Sequence, residues 1–220
     1  MGATLDELEA RVTALEQKRF ATPEGIEVDE QMRRARAAVE DAKVYSAVWK
    51  WVPPDYYQRS LAERAVCLGA PSVQLLCKSL LLENKKVVDE SPQNPRFILV
   101  ILQYAATLDT QKLTNVIRRL LPVSQRLDET KYDFRIAADV DNDRITGYQH
   151  NSVTPFGLKE KVCMVLTSNV VDTKFFWMGG GHVHLKLGLA TADFIAAFDP
   201  VIGDISSPRL GEVSAADMED

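Results

Sequence analysis

Val73-Gln-Leu-Leu-Cys-Lys-Ser-Leu-Leu-Leu82 is an apolar run carrying a single charge, and its reading decides the fold. As a buried strand it alternates, putting Gln74, Leu76, Lys78, Leu80 and Leu82 on one face. Lys78 is then one ammonium among three leucines. Burying an unpaired charge is costly, so the ammonium must snorkel to solvent, meet an anion, or line a cleft that binds one. A polar, turn-rich segment over 85–95 leads to Phe97-Ile-Leu-Val-Ile-Leu-Gln-Tyr104. That run is almost wholly apolar, which predicts a central strand covered on both faces.

Downstream, Thr110 is expected to cap a helix with Leu113, Val116, Ile117 and Leu120 inward, stopped by Pro122. A short strand follows at 134–137, and 140–146 reads as a helical turn. It leads into Ile145-Thr-Gly-Tyr-Gln-His-Asn-Ser-Val-Thr-Pro-Phe-Gly-Leu-Lys159. Gly147, Asn151, Pro155 and Gly157 interrupt any regular element there, so this is a shaped loop whose backbone donors are not consumed by secondary structure. A hydrated surface connection is the bland alternative. Strands are expected at 162–167, 175–178 and 183–189, with Gly179-Gly-Gly181 as a tight junction, and Thr191 caps a last helix. Elements mix without a strict β-α-β rhythm. The expected fold is α/β: a mixed β-sheet, curled and barrel-like, with surrounding helices.

Upstream, Thr4 and Glu7 form a capping-box pattern ahead of Leu5, Leu8, Val12 and Leu15, a heptad seam about two heptads long. A second helix over 29–43 would bury Val28, Met32, Ala35, Val39 and Ala42. Together they predict an N-terminal helical extension over 1–45, a hairpin that docks on the domain or on a partner. Trp49, Trp51, Tyr56 and Tyr57 suit packing of the extension on the core better than stacking on bases, since only Lys50 and Arg59 are near. Ser60 with Glu63 is another capping box, opening a helix that stops at Gly69. The expected organisation is thus 1–45, a domain over 46–206, and a disordered acidic tail over 207–220.

The 220 residues carry 26 basic and 31 acidic side chains, a net charge of −5. That balance argues against indiscriminate binding along a phosphate backbone, though not against a local basic pocket. Three cysteines, Cys67, Cys77 and Cys163, cannot all pair, and with no secretory signature or membrane-length apolar run the expectation is a cytoplasmic protein with reduced thiols. His150, His182 and His184 are the only histidines and no Gly-x-Ser-x-Gly elbow occurs, so a nucleophilic triad has little to build on. His182 and His184 would share a strand face, a weak metal signal, and no metal or other cofactor is expected. What remains, backbone donors, hydroxyls and a lysine, suits hydrolysis of an activated ester.

Taken in order, these pieces resemble the YbaK/prolyl-tRNA-editing family of aminoacyl-tRNA deacylases, the prolyl-tRNA synthetase-associated domain. The matching pieces are Ala-Glu-Arg-Ala-Val-Cys-Leu-Gly69, Val-Gln-Leu-Leu-Cys-Lys-Ser79, Thr-Gly-Tyr148 through Lys159, and Gly180-Gly181 with a strand and Thr-Ala-Asp-Phe-Ile195 after it. Gly-Tyr-Gln-His-Asn looks most like eukaryotic members. The resemblance implies hydrolysis of the ester that joins a mischarged amino acid to the 3′ end of tRNA. It puts the family's lysine at Lys78, against the terminal nucleotide's phosphate. It puts the carbonyl-holding Gly-x-x-x-Pro loop at Asn151, Ser152, Val153, Thr154 and Pro155, with Asn151 in the glycine position. Asparagine tolerates positive φ, so the loop can keep its shape while the side chain narrows the pocket. Gly180 and Gly181 would form the opposite wall, with His150, Ser152 and Gly157 nearby. The implied partner is aminoacyl-tRNA at its 3′ end. A non-catalytic module that holds tRNA ends, tied through the N-terminal helices to a synthetase or synthetase complex, is the competing reading.

Overall fold

A computed structural model describes residues 4–91 and 94–209. In chain order the elements are α1 (Leu5–Phe20), α2 (Glu30–Asp41), β1 (Val48–Trp51), α3 (Leu61–Leu68), β2 (Cys77–Asn84), β3 (Phe97–Gln103), β4 (Ala106–Leu108), α4 (Thr110–Arg118), β5 (Phe134–Ile136), α5 (Asp139–Thr146), β6 (Cys163–Thr167), α6 (Ser168–Val171), β7 (Phe175–His182), β8 (Leu185–Ala190), α7 (Thr191–Phe198), β9 (Val201–Gly203) and β10 (Ser206–Pro208).

The hydrogen bonds gather these strands into three sheets ordered β5-β2-β3-β6-β9, β1-β8-β7 and β10-β4, with a parallel bridge from Leu76 to Trp177 beside β2 and β7. The largest sheet is mixed: β3 runs antiparallel to β2 and parallel to β6. The mixed α/β expectation holds. The strands are paired as three separate sheets, with no closed barrel among the described residues. β3 is central as its composition requires, with Ile98 through Leu102 fully buried. Leu82, Ile98, Val100, Leu102 and Val165 pack under α4 on one side of the sheet. Ile101, Leu166, Phe176 and Phe194 pack with Val39 of α2 on the other.

Three local readings need correction. The run over 73–82 is not one strand: residues 73–75 form a 3-10 turn capped by Ser72, and β2 begins at Cys77. Gly179-Gly-Gly181 is not a junction either. β7 runs through the glycines with a register shift between Gly179 and His182, and the reversal falls between His182 and Leu185. Thr110 and Thr191 are the first helical residues, not caps; Asp109 accepts the Lys112 amide instead.

The N-terminal helices dock on the domain. Both capping boxes close as expected, and α1 and α3 end on left-handed Ala21 and Gly69. Met32 packs with Phe20 and Leu185, and Trp51 Nε1 donates to the Phe20 carbonyl at 2.8 Å. Arg33 binds Glu16 at 2.6 Å, joining α1 to α2. Leu5, Leu8, Val12 and Leu15 remain exposed. Among the described residues no helix is long and apolar enough to cross a membrane. The expected disordered tail over 207–220 starts too early, because Ser207 and Pro208 pair with β4 as part of β10; residues 210–220 lie outside the described residues.

Candidate functional site

The loop after α5 is held at each end by named bonds. Gly147, left-handed at φ 71°, ends α5. Tyr148 Oη reaches across to donate to the Phe156 carbonyl at 2.6 Å, closing the loop on itself. Arg34 of α2 stacks 4.5 Å from the Tyr148 ring centroid and donates to the carbonyls of Gly147 and Gly157. A helix of the N-terminal extension therefore fastens the loop that the sequence marked as functional.

Inside the loop the backbone orientation decides which amides are offered. Asn151 has φ 63°, the left-handed conformation that asparagine tolerates. Its carbonyl accepts from Tyr57 Oη at 3.0 Å, and the Ser152 amide donates to the Gln149 carbonyl at 3.0 Å. That peptide unit is satisfied on both sides. The Ser152 carbonyl accepts from the Gly181 amide of β7 at 3.2 Å. Since a trans peptide points its C=O and N–H in opposite directions, the Val153 amide faces away from that Gly181 contact. Among the described residues neither the Val153 nor the Thr154 amide meets an acceptor. Ser152 is therefore not a donor to a ligand: its amide and its hydroxyl, 2.7 Å from the same carbonyl, both turn to Gln149. Thr154 Oγ1 points to Met178 Sδ at 3.9 Å, within the core.

β7 can approach this closely because it is glycine there. A Cβ on Gly179 would stand 2.2 Å from the Val153 carbonyl oxygen, so the loop rests directly on the strand's backbone. The result is a cleft of about 90 Å³, whose walls include Lys78, Tyr104, Asp139, Asn151, Val153 and Gly179. Lys78, almost buried, has its Nζ 6.0 Å from the centroid of the Tyr104 ring. His150 and Tyr57 also contribute to the lining. Pro155 and Gly157 do not: they line a separate, wider groove beside Phe198. On β7 it is Gly179 that faces the cleft. Gly181 serves as the amide that holds Ser152, and Gly180 packs against Leu185.

Behind the cleft lies a cluster that the sequence reading did not find. Lys186 of β8 is buried, donates to Tyr57 Oη at 2.7 Å and to the Val183 carbonyl at 2.9 Å, and so braces the phenol that holds Asn151. Burial, with the nearby Arg64 guanidinium adding to it, pulls the Lys186 ammonium down to about 7. Burial pushes the phenols of Tyr57 and Tyr104 up, so both are neutral donors at neutral pH. The Cys77 thiol, buried at the foot of the cleft, is pushed up as well and is a packing group, not a nucleophile. Tyr57, Tyr104 and Lys186 sit far apart in sequence, and alternation along β8 sets Lys186 on the face opposite Leu185, Leu187 and Leu189, so no local signal announced its burial.

The His182 and His184 rings meet edge to face with centroids 5.6 Å apart, and the His184 amide donates to His182 Nδ1. Among the described residues no three His, Cys, Asp or Glu side chains converge as metal ligands would.

Residues 58–197 match the aminoacyl-tRNA editing domain family. No curated protein is significantly similar to the chain. A solved structure described as a candidate trans-editing enzyme for prolyl-tRNA synthetase superposes with a TM-score of 0.64 at 19% identity, over 82% of this chain and 99% of that one. Hypothetical protein APE2540 gives 0.61 at 16% identity, over 79% and 99%. A computationally designed scaffold presenting a linear epitope gives 0.63 at 18%, over 83% and 100%. Likeness at these identities speaks to the fold alone.

Proposed function

Because the chain belongs to the aminoacyl-tRNA editing domain family, we propose that it is an aminoacyl-tRNA deacylase, a trans-editing hydrolase of the ester on mischarged tRNA. One observation carries this reading. Lys78, the amide-bearing loop at Asn151 and Val153, and the glycine strand at Gly179 line one cleft although they are remote in sequence. The proposed chemistry needs no cofactor. The ester carbonyl accepts from the Val153 amide, with Thr154 as the next donor along the chain. Lys78 receives the phosphate of the terminal adenosine. A neighbouring ribose hydroxyl helps place the water. Water adds to the carbonyl carbon, the bond to the ribose oxygen breaks, and a proton from the water ends on that oxygen, releasing the amino acid and tRNA. An amide already fixed by its surroundings stabilises the developing oxyanion without reorganisation cost. The small volume, bounded in part by Asn151, suits a small aminoacyl side chain.

In this scheme His150 is a polar contact at the cleft, while Pro155 and Gly157 shape the loop and touch no substrate. Purified protein tested across a panel of aminoacyl-tRNAs should release amino acid from at least one, and Lys78→Ala should raise KM for that substrate by about 10-fold or more. Wild-type rates in Lys78→Ala would remove the lysine from the scheme.

The second reading, a non-catalytic module that holds tRNA ends within a synthetase complex, draws its support from α1, whose Leu5, Leu8, Val12 and Leu15 are exposed on a helix otherwise tied to α2. Absence of turnover across the panel, with retained binding of tRNA ends, would favour it. Either role belongs in the cytoplasm, with the translation machinery.

A further inference from the structure

The end of an aminoacyl-tRNA carries charges of both signs, a phosphate on the nucleotide and an α-ammonium on the amino acid. Beside Lys78, the cleft lining includes one carboxylate among the described residues, Asp139. It opens α5, and Asn142, three residues on and therefore on the same helix face, lines the cleft too. The orientation of Asn142 is fixed by what it meets. Its Nδ2 donates to the Tyr148 carbonyl at 2.8 Å, and a carbonyl can only accept, so Oδ1 is the atom left over. Asp139 takes part in no ion pair or side-chain hydrogen bond among the described residues. A carboxylate and an amide oxygen on one face offer acceptors and no donor. Their complement is a cation with several N–H groups.

We propose that Asp139, with Asn142 Oδ1, receives the α-ammonium of the aminoacyl group, so that the site takes esters of free amino acids and rejects N-blocked ones such as a peptidyl ester. This rests on the deacylase reading of the same cleft. Asp139 is exposed at the cleft rim, and an N-acyl group removes the charge that its carboxylate attracts, so discrimination comes from the lost attraction. Lys78 and Asp139 then match the two ends of the substrate in sign, which orients the ester between them.

The test is binding of an unreactive analogue, adenosine 5′-phosphate carrying at its 3′ position, through an amide, the amino acid preferred in the deacylation panel. It is titrated into the full-length protein in free-amine and N-acetylated forms. Wild type is expected to bind the free amine about 10-fold or more tightly than the acetylated form. Asp139→Asn should lose most of that preference with its affinity for the acetylated form unchanged, and Asp139→Glu should keep it. A preference unchanged in Asp139→Asn overturns the proposal, as does an equal loss for both forms, which is what a merely structural role would give. Wild-type protein that binds neither form sinks the deacylase reading itself, and this inference with it.

Discussion

Asn151 and Gly179 illustrate what single residues can and cannot announce. Asparagine where a glycine belongs was legible as a backbone signal, and the left-handed φ of 63° agrees with it. Lys78 was legible because an ammonium in an oily run has few places to go, and it does line a cleft. The contributing glycine was harder to read. Three in a row look alike in sequence, and what separates them is a bulge in β7 that presents Gly179 to the loop and turns Gly181 to φ 88°. This gives Gly179 the most exacting position. A methyl group there overlaps the Val153 carbonyl oxygen at 2.2 Å, and backbone on both sides leaves nothing flexible to yield. Gly179→Ala should push the loop outward, misplacing the Val153 amide. Loss of one oxyanion donor typically costs about 100-fold or more in rate. The expected result is a kcat lower by about that factor with KM changed far less, since the Lys78 end of the site is untouched. Deacylation kinetics with a parallel thermal melt check it, and an unimpaired kcat would show that the Val153 amide is not the donor.

At the scale of elements, helix and strand identities followed from periodicity, and the misplacements came where tertiary context intervened. The start of β2 gave way to a turn because Ser72 caps the Gln74 amide. Of the face expected on α2, Met32, Ala35 and Val39 are buried, whereas Val28 ahead of the helix is half-buried and Ala42 at its end is exposed. What the pattern could not reveal is that Arg34, on the flank of that face, reaches carbonyls 113 and 123 residues away. Charge on a helix flank is ordinarily solvated, and nothing local distinguishes Arg34 from Arg33. The structure separates them clearly. Arg33 pairs with Glu16 while half exposed itself, whereas the Arg34 side chain is 19% exposed, stacked on Tyr148 and bonded to two loop carbonyls. Removing a charged donor from partly buried acceptors costs about 1–3 kcal/mol. An exposed ion pair contributes about 1 kcal/mol or less. Urea denaturation should therefore show Arg34→Ala destabilised by about 1–3 kcal/mol and Arg33→Ala much less affected. Arg34→Ala should also slow deacylation, because the loop loses its fastening. Equal effects from the two substitutions would mean that α2 does not support the loop as described.

For the molecule as a whole, the sequence made the layers legible and left the buried polar interior hidden, because that interior is assembled from α3, β2, β8 and the aromatic segment before α3. Its most consequential member is Lys186, and the consequence is thermodynamic. In the folded protein its ammonium is held down to about 7, against an ordinary value of 10.5. Between those two values the unfolded chain carries a proton that folded Lys186 has released, so stability should rise with pH across that window, by at most about 1.4 kcal/mol per pH unit. Below it both states are protonated and the burial penalty is present in full. His182 and His184 are also lowered by burial, which takes further stability away as the pH falls below the ordinary histidine range. The tyrosines act in the opposite sense. Burial raises Tyr148 to about 12 and raises Tyr56 and Tyr57 too, so above about pH 10 the unfolded chain ionises first and stability falls. The expected optimum lies near pH 9–10, well above the sequence pI of about 5.3. Lys186→Met removes the buried charge while keeping most of the volume. It also removes the donor to Tyr57 and Val183, which offsets part of the gain. Urea midpoints measured from about pH 6 to 10 should show the variant gaining most at pH 7 and below, gaining little near pH 10, and losing the upward slope between. A slope that survives the substitution would place its origin in a group other than Lys186.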